Sequence, residues 1–374
     1  MNKSLYIPFP FLILGFIGML YAFPSIAQEA ALTDSIKTKK EKQFSFAAIA
    51  LPSKDPEDGF YVDGGIITVF KTDRKDTTLR VSNLYVYALY SQLHQYRIST
   101  GGDIFTKNEK YYLNGWFYNS YLPEYYFGTG NNVSPSTKEY ISYKLWYINA
   151  NVLRKIYKKI FVGLTYNYEN LYNMKYPKDG IADRNKPKGL NNYTISAPGI
   201  RVRHDSRDNI LSSRTGSYVD VFYSFFRPGL GSQYNFNMFG FDARKFINLT
   251  PTPKKYNILA LNFVIKQSSG NVPFRYLSNI SARGYHPNLY RDNSLLSLQA
   301  EYRFKIWNWF GASVFGGASE VAGSFAQMNL KYIRENYGGG FRFRIFKKNN
   351  MYMRVEYGMS SNTSNYYISF TDAF

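Results

Sequence analysis

The sequence predicts an all-β protein: a sixteen-stranded antiparallel transmembrane β-barrel. Three observations carry that expectation. Apolar and polar residues alternate with period two along most of the chain, as where Leu298, Ala300, Tyr302, Phe304 and Ile306 interleave with Gln299, Glu301, Arg303 and Lys305. That is the period of a strand and not of a helix. The 374 residues include 36 Tyr and 30 Phe, and 45% are apolar. Beyond the first 25 residues none of the apolar runs approaches the length of about 20 that a membrane helix needs. Finally, long and short connectors alternate, apart from two short ones near Ser91 and Arg227, as they do in bacterial barrels with long outer loops and short periplasmic turns.

Residues 1–27 read as a cleaved secretory signal peptide: Lys3, an apolar stretch from Leu5 to Phe23, then small residues at Ser25 and Ala27 before Gln28. A retained membrane anchor is the alternative, but Pro8, Pro10 and Pro24 suit a helical span poorly. Residues 28–43 form a short polar lead, and residues 44–374 the outer-membrane barrel domain. Strand-like segments lie near 44–51, 60–70, 78–90, 93–104, 111–121, 138–150, 158–170 and 192–203. They continue near 215–226, 232–247, 254–267, 294–305, 309–319, 332–345, 350–360 and 364–373. Sixteen is an even number, as closed bacterial barrels require.

Long connectors follow odd-numbered segments, at 122–137, 171–191, 268–293 and 320–331, and read as outer loops. Those after even-numbered segments are shorter and basic, as in Lys71 and Lys75, Arg154 and Lys155 with Lys158 and Lys159, and Lys347 and Lys348. An Arg or Lys facing lipid near the bilayer midplane costs about 2–4 kcal/mol. Arg342, Arg344, Arg354, Glu356, Glu301 and Arg303 are therefore expected to point inward, giving a lumen lined by both signs that suits a plugged or narrow interior. Tyr111, Tyr112, Trp116, Tyr125, Tyr126, Trp146, Tyr147, Trp307 and Trp309 read as interfacial girdle residues and not as sugar platforms. The first strand, small-residue-rich and closed by Pro52, is expected to pair weakly. Phe374, on one face with Phe370, Ile368 and Tyr366, reads as a C-terminal strand signal interrupted by Asp372.

A net charge of +20 raises a nucleic-acid partner, but these charges alternate along strands, and a basic lining with basic turns accounts for them. With no cysteine, a disulfide scaffold and a thiolate metal site are excluded. No zinc-helix, nucleophile-elbow or phosphate-loop motif is present, so an enzyme, a metal and a cofactor are not expected. His204, Asp205 and Ser206 supply the residue types of a hydrolytic triad, but neighbours on an extended chain point in alternating directions.

The loop before segment 294–305 contains Ala282, Arg283, Gly284 and Tyr285, and this core resembles the sixth-loop signature of the BamA and TamA superfamily, the bacterial surface antigen proteins. A second stretch, Asp205, Ser206, Arg207 and Asp208 with Gly216 before the ninth strand, resembles that family's periplasmic turn motif. The resemblance implies that loop 6 folds back into the lumen, where Arg283 meets acidic residues on strands 12 and 13. Glu301 is its expected luminal partner. The family's strand 13 motif is matched by Phe315 and Val321, but Gly317 stands where a second carboxylate belongs, with Glu320 a conceivable substitute. The resemblance further implies insertion or translocation of unfolded outer-membrane or secreted polypeptides at the outer membrane. The lead 28–43 is too short for the family's periplasmic POTRA domains, so a separate periplasmic protein is the expected partner beside outer-membrane lipid. The alternative is a passive narrow pore or a structural surface-antigen barrel.

Overall fold

The computed structural model describes residues 44–55, 59–73, 75–76, 79–250, 257–346, 351–370 and 372–374. The expected signal peptide (1–27) and polar lead (28–43) lie outside them. Period-two segments become strands throughout. The first half comprises β1 (Phe44–Asp55), β2 (Gly59–Phe70), β3 (Ser82–Ser91), β4 (Tyr96–Phe105), β5 (Tyr111–Tyr121), β6 (Glu139–Tyr157), β7 (Ile160–Lys175) and β8 (Tyr193–Asp205). The second comprises β9 (Gly216–Phe226), β10 (Phe236–Asn248), β11 (Asn257–Gly270), β12 (Ser294–Lys305), β13 (Phe310–Ala322), β14 (Arg334–Phe346), β15 (Met351–Ser360) and β16 (Ser364–Phe370). Each strand pairs antiparallel with the next, from β1–β2 to β15–β16. The three-residue strand Glu124–Tyr126 adds to β6 near one end of the same sheet.

The two faces differ sharply. Outward positions carry large apolar side chains that remain exposed, such as Leu164 (67%), Leu298 (56%), Val314 (53%) and Phe341 (53%). On the other face Arg203, Asp220, Asn262, Glu301, Arg303, Arg342, Arg354 and Glu356 are buried. This inverts a water-soluble protein, in which apolar groups leave the surface.

The sheet also curls. Adjacent strands lie about 4.8 Å apart, so β10 and β16 would stand about 29 Å apart in a flat sheet. Four residues past β16 the chain reaches at most about 14 Å further, yet Phe374 packs against Phe246 of β10 and Ala260 of β11. Likewise Arg80, beside β3, bonds Asp205 at the end of β8 at 2.9 Å.

Several local expectations are corrected. Tyr112 does not join Tyr111 in a girdle: neighbours on a strand face opposite ways, and Tyr112 is buried, stacked on Phe105 at 4.5 Å. Tyr126 is buried as well, in the cluster around Phe274, and Tyr147 stacks on Tyr118 at 4.8 Å, whereas Trp146, Trp307 and Trp309 are exposed. Arg154 and Lys155 belong to β6 and leave Lys158 and Lys159 as the turn. Pro52 does not close β1, which continues to Asp55 and pairs with β2 along its whole length. Proline is tolerated on an edge strand where its missing N–H faces away from the partner. Finally, β16 stops at Phe370, and Phe374 is buried on the polar face and not aligned with the exposed Tyr366 and Ile368. Asp372 explains the turn inward, because its carboxylate is drawn to Arg303 and Arg342.

Candidate functional site

Residues 271–293, between β11 and β12, double back on themselves. Ser278 and Asn279 pair with Asp292 and Arg291, so residues 280–290 project as a tip. Turns closed by Tyr285 N–H to the Ala282 carbonyl (3.3 Å) and Leu289 N–H to the His286 carbonyl (3.2 Å) fold it. Ala282, Tyr285, Leu289 and Tyr290 bury themselves with Val321 of β13 and Phe127. Val321, the last residue of the strand 13 motif, thus seats the tip. Tyr285 donates its hydroxyl to the Glu335 carbonyl at 2.6 Å.

Gly284 lies in the left-handed region at φ +103, and a Cβ there would stand 2.6 Å from the Met359 carbonyl oxygen. Only glycine fits both demands. Its N–H donates to the Tyr367 hydroxyl at 2.8 Å, and its carbonyl accepts from Ser360 Oγ (3.2 Å) and Thr363 Oγ1 (2.5 Å). Gly358 of β15 leaves the room opposite, since a Cβ there would meet Gly284 N at 2.8 Å. The tip is therefore docked on the final hairpin, β15–β16.

Arg283 then reaches across the polar face. Its Nη2 stands 2.6 Å from Glu301 Oε2, and its Nη1 donates to Glu356 Oε1 at 3.0 Å. The guanidinium lies 3.5 Å above the Phe315 ring, whose register partner is Glu301 itself. A charge-assisted hydrogen bond to Glu356, an ion pair with Glu301 and a cation–π contact hold this largely buried side chain. The second carboxylate thus comes from β15 and not from strand 13. Gly317 has no room for one: a Cβ would stand 2.7 Å from the Leu298 carbonyl oxygen and 2.9 Å from Asn336 Oδ1. Glu320 does not substitute; it accepts the Asn329 N–H at 2.8 Å.

The anchor belongs to a larger cluster. Glu301 also meets Arg303 at 2.6 Å and Arg342 at 3.5 Å; Glu356 meets Arg354 at 2.5 Å. Asp372 pairs with Arg303 at 2.7 Å and also with Arg342. Four guanidiniums therefore share three carboxylates, with every side chain at most 10% exposed. Such charges are tolerable only when mutually paired. Inward parity made Glu356, Arg303, Arg342 and Arg354 legible as facing one another's side of the sheet; their convergence required its curvature.

At the opposite end of the strands, the Asp205–Gly216 turn is built from the second motif. Asp205 accepts two bonds from the Arg207 guanidinium (2.9 and 3.0 Å) and one from Arg80 (2.9 Å). Asp208 Oδ1 accepts the Arg214 and Thr215 N–H groups at 2.9 and 3.2 Å. Gly216, at φ +101, permits an approach that would put a Cβ 2.3 Å from the Ser206 carbonyl oxygen. Arg80 in turn pairs with Glu109 at 2.8 Å, linking three turns. With Asp205 committed to two arginines, it does not orient His204, whose Nε2 lies 3.3 Å from Ser206 Oγ.

The loop end carries a second hub that the sequence did not single out. Glu124 lies 3.5 Å from both Arg275 and Arg291 and accepts from Asn288 at 3.1 Å. Gly130 N–H donates to the Arg291 carbonyl at 2.7 Å, and Arg334 donates to the Asn131 carbonyl at 2.6 Å. Residues 122–138 and 271–293 are thereby fastened together.

No protein-family model matches this chain, and no curated protein matches it in sequence. Solved structures do. BamA from Haemophilus ducreyi lacking POTRA domains 1–3 aligns with a TM-score of 0.55 at 12% identity, over 89% of this chain and 70% of that one. CdiB from Acinetobacter baumannii aligns with a TM-score of 0.56 at 10% identity, over 87% of this chain and 65% of that one. The fold is that of the BamA and CdiB barrels.

Proposed function

We propose that the curled sheet closes into a sixteen-stranded barrel in the outer membrane, with loop 271–293 in its lumen. We further propose that it inserts or translocates polypeptides there, without acting as an enzyme. The exposed apolar face supports the membrane: Leu164, Leu298 and Phe341 would be costly in water and are at home in hydrocarbon. The observation that carries the functional reading is Arg283, clamped between Glu301 and Glu356 while its loop tip holds β16. One element thus touches both β12 and the strand beside the seam between β1 and β16, the edge that would move during insertion. Unfolded outer-membrane or secreted polypeptides are the clients, membrane lipid is the solvent, and a separate periplasmic protein delivers the clients.

The test is purified protein in liposomes, following the folding of an added unfolded barrel protein. Faster insertion by the wild type that is lost in Arg283→Ala is expected. No acceleration by the wild type would refute autonomous insertion. A second reading, a structural surface barrel, draws support from the fastening of residues 122–138 to 271–293. A steady, salt-dependent conductance without insertion would instead select a passive pore.

A further inference from the structure

Residues 372–374 follow β16 and, instead of prolonging it, enter the polar face. Asp372 lies between Arg303 and Arg342, both buried. Its N–H donates to the Leu211 carbonyl at 3.1 Å, in the turn before β9. Phe374 is 8% exposed, packed with Phe246 and Ala260, and its carbonyl oxygen accepts from Arg303 Nη2 at 3.4 Å. This is a receptor with a charged and an apolar part. The guanidinium pair fits one carboxylate, and the Phe246 side chain fits one aromatic ring two residues on.

We propose that residues 372–374 are an internal latch that fastens the β16 edge to the polar face. The Arg303–Arg342 pair receives the Asp372 carboxylate, and Phe246 seats Phe374. β16 is then held from inside at two places. The loop tip grips it at one end, where Tyr367 accepts the Gly284 N–H at 2.8 Å and Asn365 donates to the Tyr285 carbonyl at 3.2 Å. The latch grips the chain just past its other end. The two grips are coupled, because Glu301 serves Arg283 at 2.6 Å and Arg303 at 2.6 Å. Withdrawing Asp372 leaves Glu301 and Glu356 for the cluster's four guanidiniums, so release of the latch redistributes the carboxylate that anchors the loop. The latch itself needs only the contacts above; its consequence for insertion rests on the functional reading, in which the β16 edge moves.

The experiment is hydrogen exchange on the full chain in liposomes, reading the amides of β16 and of residues 206–215. Asp372→Asn keeps the side chain's shape and removes the charge. Losing a charged, buried contact is expected to speed exchange there by about 10- to 100-fold, with β4–β8 unchanged. Phe374→Leu, which leaves every charge in place, is expected to give a smaller increase over the same amides. Asp372→Glu restores the charge and is expected to recover most of the protection. Unchanged β16 exchange in both Asp372→Asn and Phe374→Leu would overturn the latch. If Asp372→Asn failed to fold, Phe374→Leu alone would decide: the latch needs both of its contacts, so exchange equal to the wild type at β16 and residues 206–215 would overturn it. Client insertion is measured in parallel: a wild type that inserts nothing sinks the functional reading while leaving the exchange result, and hence the latch, standing.

Discussion

Glu356→Gln tests whether β15 truly supplies the second carboxylate for the loop arginine. Glutamine preserves the shape and removes the charge that faces Arg283 at 3.0 Å and Arg354 at 2.5 Å. Removing one member of a buried ion pair costs about 3–5 kcal/mol. Arg283 keeps Glu301 at 2.6 Å, so about 2–3 kcal/mol of that loss is expected to fall on loop docking. At 1.4 kcal/mol per tenfold change, the loop should undock about 30- to 140-fold more often. Exchange of the Gly284 amide, which donates to Tyr367, reports undocking directly. The same substitution in an Arg283→Ala background should add much less, because the pair is already broken; a coupling of at least about 1 kcal/mol is expected. Equal effects in both backgrounds would refute the assignment of Glu356 as a partner of Arg283.

Three further outcomes are expected. Gly317→Asp should fail to rescue Glu356→Gln and should lower the unfolding midpoint by itself, because its Cβ would stand 2.7 Å from a backbone oxygen; recovered Gly284 protection would contradict this. Asp205→Asn removes the charge that both Arg207 and Arg80 face from a side chain 1% exposed, so trypsin cleavage after Arg207 or Arg214 should quicken by tenfold or more, at about 1.5–3 kcal/mol per charged contact. Leu298→Lys on the exposed apolar face should destabilise the folded protein in lipid vesicles by about 2–4 kcal/mol, whereas Gln299→Lys on the polar face should cost far less; equal costs would deny that Leu298 faces lipid.

The strands were legible because the property that defines them, side-chain parity, is local. Leu298 and Glu301 fall on opposite faces whichever strands lie beside them, and sixteen repetitions of that pattern leave little else for the chain to be. Parity fails where a strand ends for a non-local reason. Phe374 counts as a continuation of Tyr366 and Ile368 until Asp372 is known to have two guanidiniums within reach. Tyr112 departs for the opposite reason: residue type groups it with Tyr111, whereas parity sets the two on opposite faces. For Arg283 and Glu301, a resemblance supplied a pairing that no spacing could. Parity placed Glu356 on the polar face, but its pairing with Arg283 lay beyond both methods, since it is three strands from Glu301 and only curvature brings the two carboxylates to one guanidinium.

The position of the second carboxylate on β15 and not on β13 has a consequence for what the anchor holds. A buried guanidinium needs acceptors on more than one side, but nothing in its chemistry fixes which strand provides them. With one carboxylate on β12 and the second on β13, an arginine would brace two neighbours that their own ladder already joins. With Glu356, Arg283 spans from β12 to β15, and Gly284 adds β16 through Tyr367. The loop then ties the interior of the sheet to its last hairpin. In the closed barrel proposed above, that hairpin would border the β1–β16 edge, and Glu301, shared by Arg283, Arg303 and Arg342, links the arginine anchor to the contacts just past β16.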